Sequence, residues 1–413
     1  MSTIQKVLIL GFVWPEPNSS AAGSRMMQLI KLFQEQDWAI TFASPAKESD
    51  FQFDLKTIGI QTETIAINDD NFDEFVKNLN PSIVIFDRFM IEEQFGWRIA
   101  ENCPEALRIL DTEDLHCLRN ARENALKKNR PFQNSDLFQE ITKREIASIL
   151  RCDLSLIISE VEMNLLQTVF KVDSSLLYYL PFLLEFLSKN EISNWPTFEE
   201  RKDFIFIGNF LHKPNWDAVQ YLHQSIWPKI KKELPEANLN IYGAYPSQKV
   251  TQLHNPKQGF YILERAENAL QVMSNAKVIL APLRFGAGIK GKFIEAMQCG
   301  TPCITTNIGA ESMFGDLDWN GFICEGENEI AEKAVLLYEN KNTWLASQKN
   351  GIKILNTRYL KTLFNSEFIN RLKFLKNNLE SHRQNNFIGE ILRHHTLNST
   401  KYMSRWIIEK NKK

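Results

Sequence analysis

The sequence predicts an α/β protein made of two Rossmann-like domains that face one another across a cleft. Two patterns carry the prediction. Continuous apolar runs of strand length alternate with helix-length stretches, the mark of parallel sheets buried on both faces. That pattern runs once, breaks at a connector and starts again, in a chain of 413 residues that has room for two or three domains.

The first set of strands is VLILGFV (7–13), AITFAS (39–44), TETIAI (62–67), SIVIFD (82–87), ALRILD (106–111) and LSLIIS (154–159). A small-residue loop, Glu16 to Ser20, follows the first strand, and Met27, Ile30 and Phe33 then recur at helical spacing. The second set is FIFIG (204–208), LNIYG (239–243), FYIL (260–263), VILAPL (278–283), PCITT (302–306) and GFIC (321–324). Stretches such as Asn215 to Ile230 and Lys290 to Gln298 read as the helices between them. The expected division is a first domain over 1–187, a linker over 188–202, a second domain over 203–377 and a basic helical tail over 378–413. In open parallel sheets ligands sit beyond the carboxyl ends of the strands, where the strand order reverses. Residues just after strands are therefore the candidates for chemistry.

Bulk composition narrows the class. Hydrophobic residues make up 44% and charged residues 24%, and the net charge of −2 gives no general affinity for nucleic acid. Cys103, Cys117, Cys152, Cys299, Cys303 and Cys324 form no C-x-x-C pair, so buried thiols in a reducing compartment are expected. The apolar start ends at Pro15 and reads as a buried strand rather than a signal peptide. The Leu176–Leu187 run is interrupted by Pro181 and Glu185 and is too short to span a bilayer. A cytoplasmic protein is expected, with peripheral contact at the inner membrane face left open.

The densest chemistry lies in APLRFGAGIKGKFIEAMQCGTPCITT, residues 281–306. A strand ends at Leu283, a turn with Gly286 and Gly288 follows, and a helix begins near Ile289. Backbone N–H groups at such a helix start carry a partial positive charge and bind phosphate. Arg284, Lys290 and Lys292 supply cations, and Glu295 can accept hydrogen bonds from a ribose. Gly286–Gly291 is also a literal G-x-G-x-x-G with Glu311 twenty residues on. A dinucleotide fingerprint opens the first strand–helix unit and has an acid closing its second strand. Here the next strand ends in Thr306 and Asn307, and a nicotinamide or flavin enzyme is the lesser alternative.

These residues resemble the donor-binding signature of glycosyltransferases of the GT-B architecture, the large family 4 (group 1) set, in which a glycine-rich turn precedes a helix carrying E-A-M-x-x-G-x-P. GNFLHKPNWDAVQYL (208–222) is similar to that family's first turn of the second domain. The resemblance implies that Gly208 and Lys213 approach the diphosphate of a nucleotide-sugar donor, with Gly23, Gly286, Gly288, Ile289 and Lys292 also on the donor side. It assigns Glu295 to the ribose hydroxyls and places the nucleobase near Leu263 to Ala266. The first glutamate of the family's pair falls on Ala287. The resemblance further implies metal-independent, retaining transfer without a cofactor, with Arg284 and Lys290 stabilising the leaving diphosphate. A nucleotide-sugar epimerase of the same architecture and a non-catalytic binding subunit stay open as alternatives. Asp316 and Asp318 form a D-x-D, read as surface loop rather than a metal site.

The first domain is expected to hold the acceptor, a cell-envelope or polysaccharide glycan or a lipid-linked one. Arg25, after the first strand, and Asp87 and Arg88, after another, are the acceptor-side candidates. His116 and Asp114, in DTEDLHCLR (111–119), are the catalytic candidates from that domain. Two segments carry local positive charge: 119–130, and the tail from Asn378, which has seven basic residues against three acidic ones with Tyr402, Met403 and Trp406 among them. Contact with anionic lipid is one reading, and a helix packed back on the first domain is the other.

Overall fold

The computed structural model describes residues 5–394 and 398–411. Lys412 and Lys413, counted in the basic tail, lie outside the described residues. The first sheet comprises β1 (Lys6–Leu10), β2 (Ala39–Ser44), β3 (Gln61–Thr64), β4 (Ile83–Asp87), β5 (Leu107–Asp111), β6 (Leu154–Ile157) and β7 (Leu177–Tyr179). The second comprises β8 (Lys202–Ile207), β9 (Leu239–Tyr242), β10 (Phe260–Ile262), β11 (Ala276–Ala281), β12 (Cys303–Thr305) and β13 (Gly321–Ile323). Their orders are β3-β2-β1-β4-β5-β6-β7 and β10-β9-β8-β11-β12-β13, with every pairing parallel. Two doubly wound α/β domains is thus the architecture. β7 is the strand that the sequence pattern does not announce, being three residues inside a longer apolar run.

The order reverses between β1 and β4 in one sheet and between β8 and β11 in the other. The loops after those strands line the cleft, as the general rule for such sheets requires. Each apolar run packs on both sides. Leu8, Val84 and Leu110 enter one face of the first sheet, and Val7, Ile9, Ile83 and Ile109 the other. All six cysteines are buried free thiols.

The chain passes between the domains twice, and the two passages are paired. Leu184 donates its N–H to the Tyr359 carbonyl at 2.7 Å, and Lys361 donates to the Leu184 carbonyl at 2.8 Å. Past this point the helix Lys361–Asn377 does not stay with the second domain. Its Phe368, Ile369, Leu372 and Leu375 are buried in the core of the first, against β1, β5 and β6. The expected boundary at 377 therefore differs from the packing, in which the chain returns to the first domain at about residue 360. A 3.6-residue apolar period says that a helix has a buried face but not which domain buries it.

The tail continues on the first domain. Arg383 is clamped by Asp153 at 2.8 Å, and Lys401 and Arg405 reach Glu101 at 2.8 and 3.1 Å. Arg383, Lys401 and Arg405 of the tail are thus paired with carboxylates of the first domain, as expected of a helix packed back on it. The basic 119–130 segment is likewise paired internally: Arg119 with Asp114, Arg122 with Glu311, Lys127 with Glu123, and Arg130 with Asp136.

Candidate functional site

Two turns from different domains meet in the cleft. One follows β11 and contains Gly286 and Gly288. The other follows β5 and runs Glu113–Asp114–Leu115–His116. Gly288 has φ +63°, and a Cβ there would lie 2.9 Å from the Cβ of Asp114. Glycine is thus required twice over, by the backbone conformation and by the approach of the other domain. Glu113 on the facing turn is also left-handed, at φ +61°, as is Arg88 after β4, at φ +71°. Such non-glycine residues are uncommon and collect at functional sites.

The contact is polar. Glu162, from the helix Glu160–Thr168, is fully buried. Its Oε1 accepts from Gly288 N–H at 2.8 Å and from Leu115 N–H at 2.9 Å. On the same turn, Arg122 donates to the Gly286 carbonyl at 2.9 Å and to both oxygens of Glu311 at 2.7 and 2.8 Å. Burial pushes the Glu162 carboxyl up to about 8, helped by the Asp114 charge.

Around Asp114 the charges are tightly matched. Despite burial, its carboxyl is held well below the usual range by Arg119 and by the nearby histidines. The His116 Nε2 lies 3.5 Å from Asp114 Oδ1. Burial pushes the His116 imidazole down to about 4, against the pull of Asp114. At neutral pH the pair is a carboxylate beside a neutral imidazole, an arrangement suited to hydrogen-bonding a hydroxyl group. The loop is held from behind by Glu145, which accepts from the N–H groups of His116 and Cys117 at 2.9 Å each.

The helix Gly291–Gln298 starts from this turn, with Lys290 as its N-cap rather than in its first turn. Lys290 is buried, and its ammonium donates to the Gly288 carbonyl at 2.8 Å. Burial pushes it down to about 8, opposed by Glu311. Gly286, Gly288 and Ile289 complete the turn, and Ile289 is buried. Lys292, expected on the donor side, is turned inward instead. It donates to Asn215 Oδ1 at 2.7 Å and sits 4.2 Å over the Phe206 ring. Asn215 in turn donates to the Asn209 carbonyl at 2.8 Å, and a Cβ on Gly208 would meet the Asn215 side chain at 2.7 Å. Lys292 and Gly208 thus build the turn after β8. Glu295, beside Lys292, is pushed up to about 7 by burial, opposed by the Lys292 charge.

A cavity of about 330 Å³ opens next to this helix. Asn18, Ser24, Gln28, Asn268, Glu295 and Gln298 supply polar lining. The Leu263–Ala266 segment leads directly into its wall at Glu267–Leu270.

Several sequence candidates stand elsewhere. Arg284 is gripped by Asp217 of the Lys213–Tyr221 helix at 2.9 and 2.5 Å and lies over the Tyr221 ring. Two of its donor nitrogens are committed there. Arg25 is buried against Asp111 at 3.1 Å and donates to the Leu180 carbonyl at 2.7 Å. It braces the crossing between the domains and does not face an acceptor. Gly23 donates its N–H to Ser20 Oγ at 3.0 Å and packs against the Glu16 backbone, so it offers no free donor to a ligand. Asp87 accepts from Phe12 N–H at 2.9 Å, and Arg88 covers the Phe12 ring. The exposed Lys213 reaches across to Glu123 of the first domain at 3.3 Å rather than toward the glycine turn. Asp316 and Asp318 are exposed in a loop.

Among the comparisons with known proteins, the family match falls on the second domain and the structural matches span both. Residues 201–340 match a family model described as glycosyl transferases group 1. No curated protein sequence matches the chain. Among solved structures, the pneumococcal O-GlcNAc transferase GtfA in complex with UDP and GlcNAc is 14% identical with a TM-score of 0.67, over 90% of this chain and 99% of that one. HepE from Anabaena in complex with UDP and glucose is 14% identical with a TM-score of 0.66, over 89% and 99%. A mutant of S. aureus TarM, in complex with fondaparinux, α-GlcNAc-glycerol and UDP, is 14% identical with a TM-score of 0.56, over 73% of this chain. The chain spans 58% of that longer protein. What the chain shares with all three is the GT-B architecture, two Rossmann-like domains across a cleft.

Proposed function

We propose that the protein is a glycosyltransferase that takes a sugar from a nucleotide-diphospho-sugar. The observation that carries this is the coincidence of three features on one helix. The glycine turn with Lys290 leads its N-terminus, Glu295 stands on its cavity side, and the segment lies within the match to group 1 glycosyl transferases. The nucleoside fits the cavity, with Glu295 on the ribose. The diphosphate lies at the turn, where backbone N–H groups and Lys290 neutralise the charge that grows as the sugar leaves. His116 and Asp114 face the transferred sugar from the other domain.

Retention of configuration and metal independence follow from the family resemblance and belong to the proposal, as does a glycan or lipid-linked acceptor on the first domain. A cytoplasmic location is part of the same reading. No helix among the described residues is long and apolar enough to cross a membrane. A peripheral membrane contact would use the exposed Tyr402, Met403 and Trp406 and not the paired cations of the tail.

A thermal-shift panel of nucleoside diphosphates tests the donor site. One base should stabilise the fold selectively, since a ligand at 100 times its Kd adds about 2.7 kcal/mol. Turnover of the matching nucleotide-sugar in excess EDTA should then proceed at full rate. Loss that Mg²⁺ or Mn²⁺ restores would overturn the metal-free chemistry, and a panel without any shift would overturn the donor site.

A further inference from the structure

The glycine turn does not meet the cleft with its anion-binding face unoccupied. Gly288 N–H, the turn's inward donor, is taken at 2.8 Å by the carboxylate of Glu162. Above about pH 8 the Glu162 carboxyl is ionised, and a carboxylate oxygen and a phosphate oxygen then make the same demand on a backbone N–H, a short charge-assisted hydrogen bond. The two ligands cannot both have it at full strength. We propose that Glu162 is a built-in competitor for the donor diphosphate, holding the Gly288 N–H until the nucleotide-sugar displaces it and loosens this edge of the domain interface. The displacement rests on the glycosyltransferase reading above.

Three features of Glu162 fit a competitor better than a plain structural brace. It comes from the opposite domain, so its bond to Gly288 can break without disturbing the turn itself. Its Oε1 also accepts from Leu115 N–H, 2.9 Å away in its own domain. That bond survives when the domains part, and the carboxylate is not stranded. Its Oε2 is buried and has no hydrogen-bond partner. An unsatisfied buried oxygen costs free energy, and separation of the domains would let water reach it. The neighbouring links are of the same interdomain kind. Ser312 accepts from Val161 N–H at 3.1 Å and makes a 3.0 Å bond with Ser159, and Arg122 ties Gly286 to the first domain. Entry of a diphosphate at Gly288 therefore acts directly on the seam between the domains.

The test is calorimetric titration of the full-length protein with UDP, GDP and ADP at about pH 9, where the Glu162 carboxyl is ionised. It compares the wild type, Glu162→Ala, Glu162→Gln and Ser312→Ala. The last variant loosens the same seam without removing an anion. The nucleotide that binds should bind Glu162→Ala about tenfold more tightly than the wild type. Glu162→Gln should show a smaller gain, because an amide oxygen still accepts the N–H but carries no charge. Ser312→Ala should stay within about twofold of the wild type. If Glu162→Ala does not fold, the Glu162→Gln titration decides by itself. Unchanged or weaker affinity in the folded Glu162 variants, with a wild type that binds, overturns the competitor and leaves the donor site standing. An equal gain in Ser312→Ala also overturns it, since loosening would then explain the effect. Silence from every protein with every nucleotide removes the donor site and the competitor together.

Discussion

Two lysines, two positions apart in the chain, meet opposite surroundings. Lys290 caps the helix and leans on the glycine turn, whereas Lys292 is spent on Asn215 and the Phe206 ring. Lys290→Ala should lower kcat by about 10²–10³-fold, the scale for one preorganised donor, and Lys290→Arg should recover part of it. Lys292→Ala should instead destabilise the fold by about 1–3 kcal/mol, the cost of leaving a buried partner unsatisfied. Steady-state kinetics and a melt on each variant separate the two roles. Equal kinetic loss in both, with equal stability, would show that the assignments are wrong. The sequence shows that three cations stand near a glycine turn, but the partners that turn two of them away are distant. Asn215 precedes Lys292 by 77 positions and Asp217 precedes Arg284 by 67. Residue type carries valence and not direction, which is why the three cations could be grouped from the sequence but the turning of Arg284 to Asp217 and of Lys292 to Asn215 could not be read there.

Buried carboxylates at this scale make stability depend on pH. Burial raises Glu145 from its ordinary 4.5 to about 7. The folded state therefore holds its proton more tightly than the unfolded chain. The stability this contributes is full below about 4.5 and is lost as pH rises toward 7. Glu145→Gln cannot titrate, so the wild type should lose on the order of 3 kcal/mol relative to the variant between pH 4.5 and 7.5. Chemical denaturation of both proteins across that range measures the difference. A gap that is constant with pH would contradict the raised carboxyl.

At the scale of elements, the glycine turn is where a single methyl group decides most. Gly288→Ala introduces both a left-handed alanine and a Cβ pressed on Asp114. Gly326, at φ +82°, has nothing within 4 Å of the same position. Gly326→Ala should cost about 1 kcal/mol, the conformational term alone. Gly288→Ala should cost more and should abolish turnover by driving the two turns apart. Comparable melts for the two variants would contradict the packed contact. Most strands were legible because a parallel strand buried on both faces must be apolar throughout. β7 was not, since its three residues sit in a run whose apolar character suits several structures. The seam through Glu162 does not stand out in the sequence, because the residue falls in the first turn of a helix after β6, where a carboxylate needs no further reason.

At the scale of the molecule, the return of the chain to the first domain matters most. Helix Lys361–Asn377 and the tail close the core of the domain that the chain began with. Removing residues 379–413 should therefore lower the melting temperature of the whole protein rather than merely shed an appendage, since it strips the Arg383 clamp and leaves Asp153 short of partners. Unchanged stability after that deletion would contradict the packing. The two-domain plan was readable from the restart of the strand pattern, whereas the destination of a helix beyond it depends on shape that periodicity does not encode. The central claim is that the Gly286–Lys290 turn holds a diphosphate, and affinity for a matched nucleoside diphosphate and its nucleoside measures it directly. In the wild type the diphosphate should bind more tightly by about a hundredfold, and Lys290→Ala should erase most of that advantage while leaving nucleoside binding unchanged. Equal affinities in the wild type, or an advantage untouched in the variant, would contradict it.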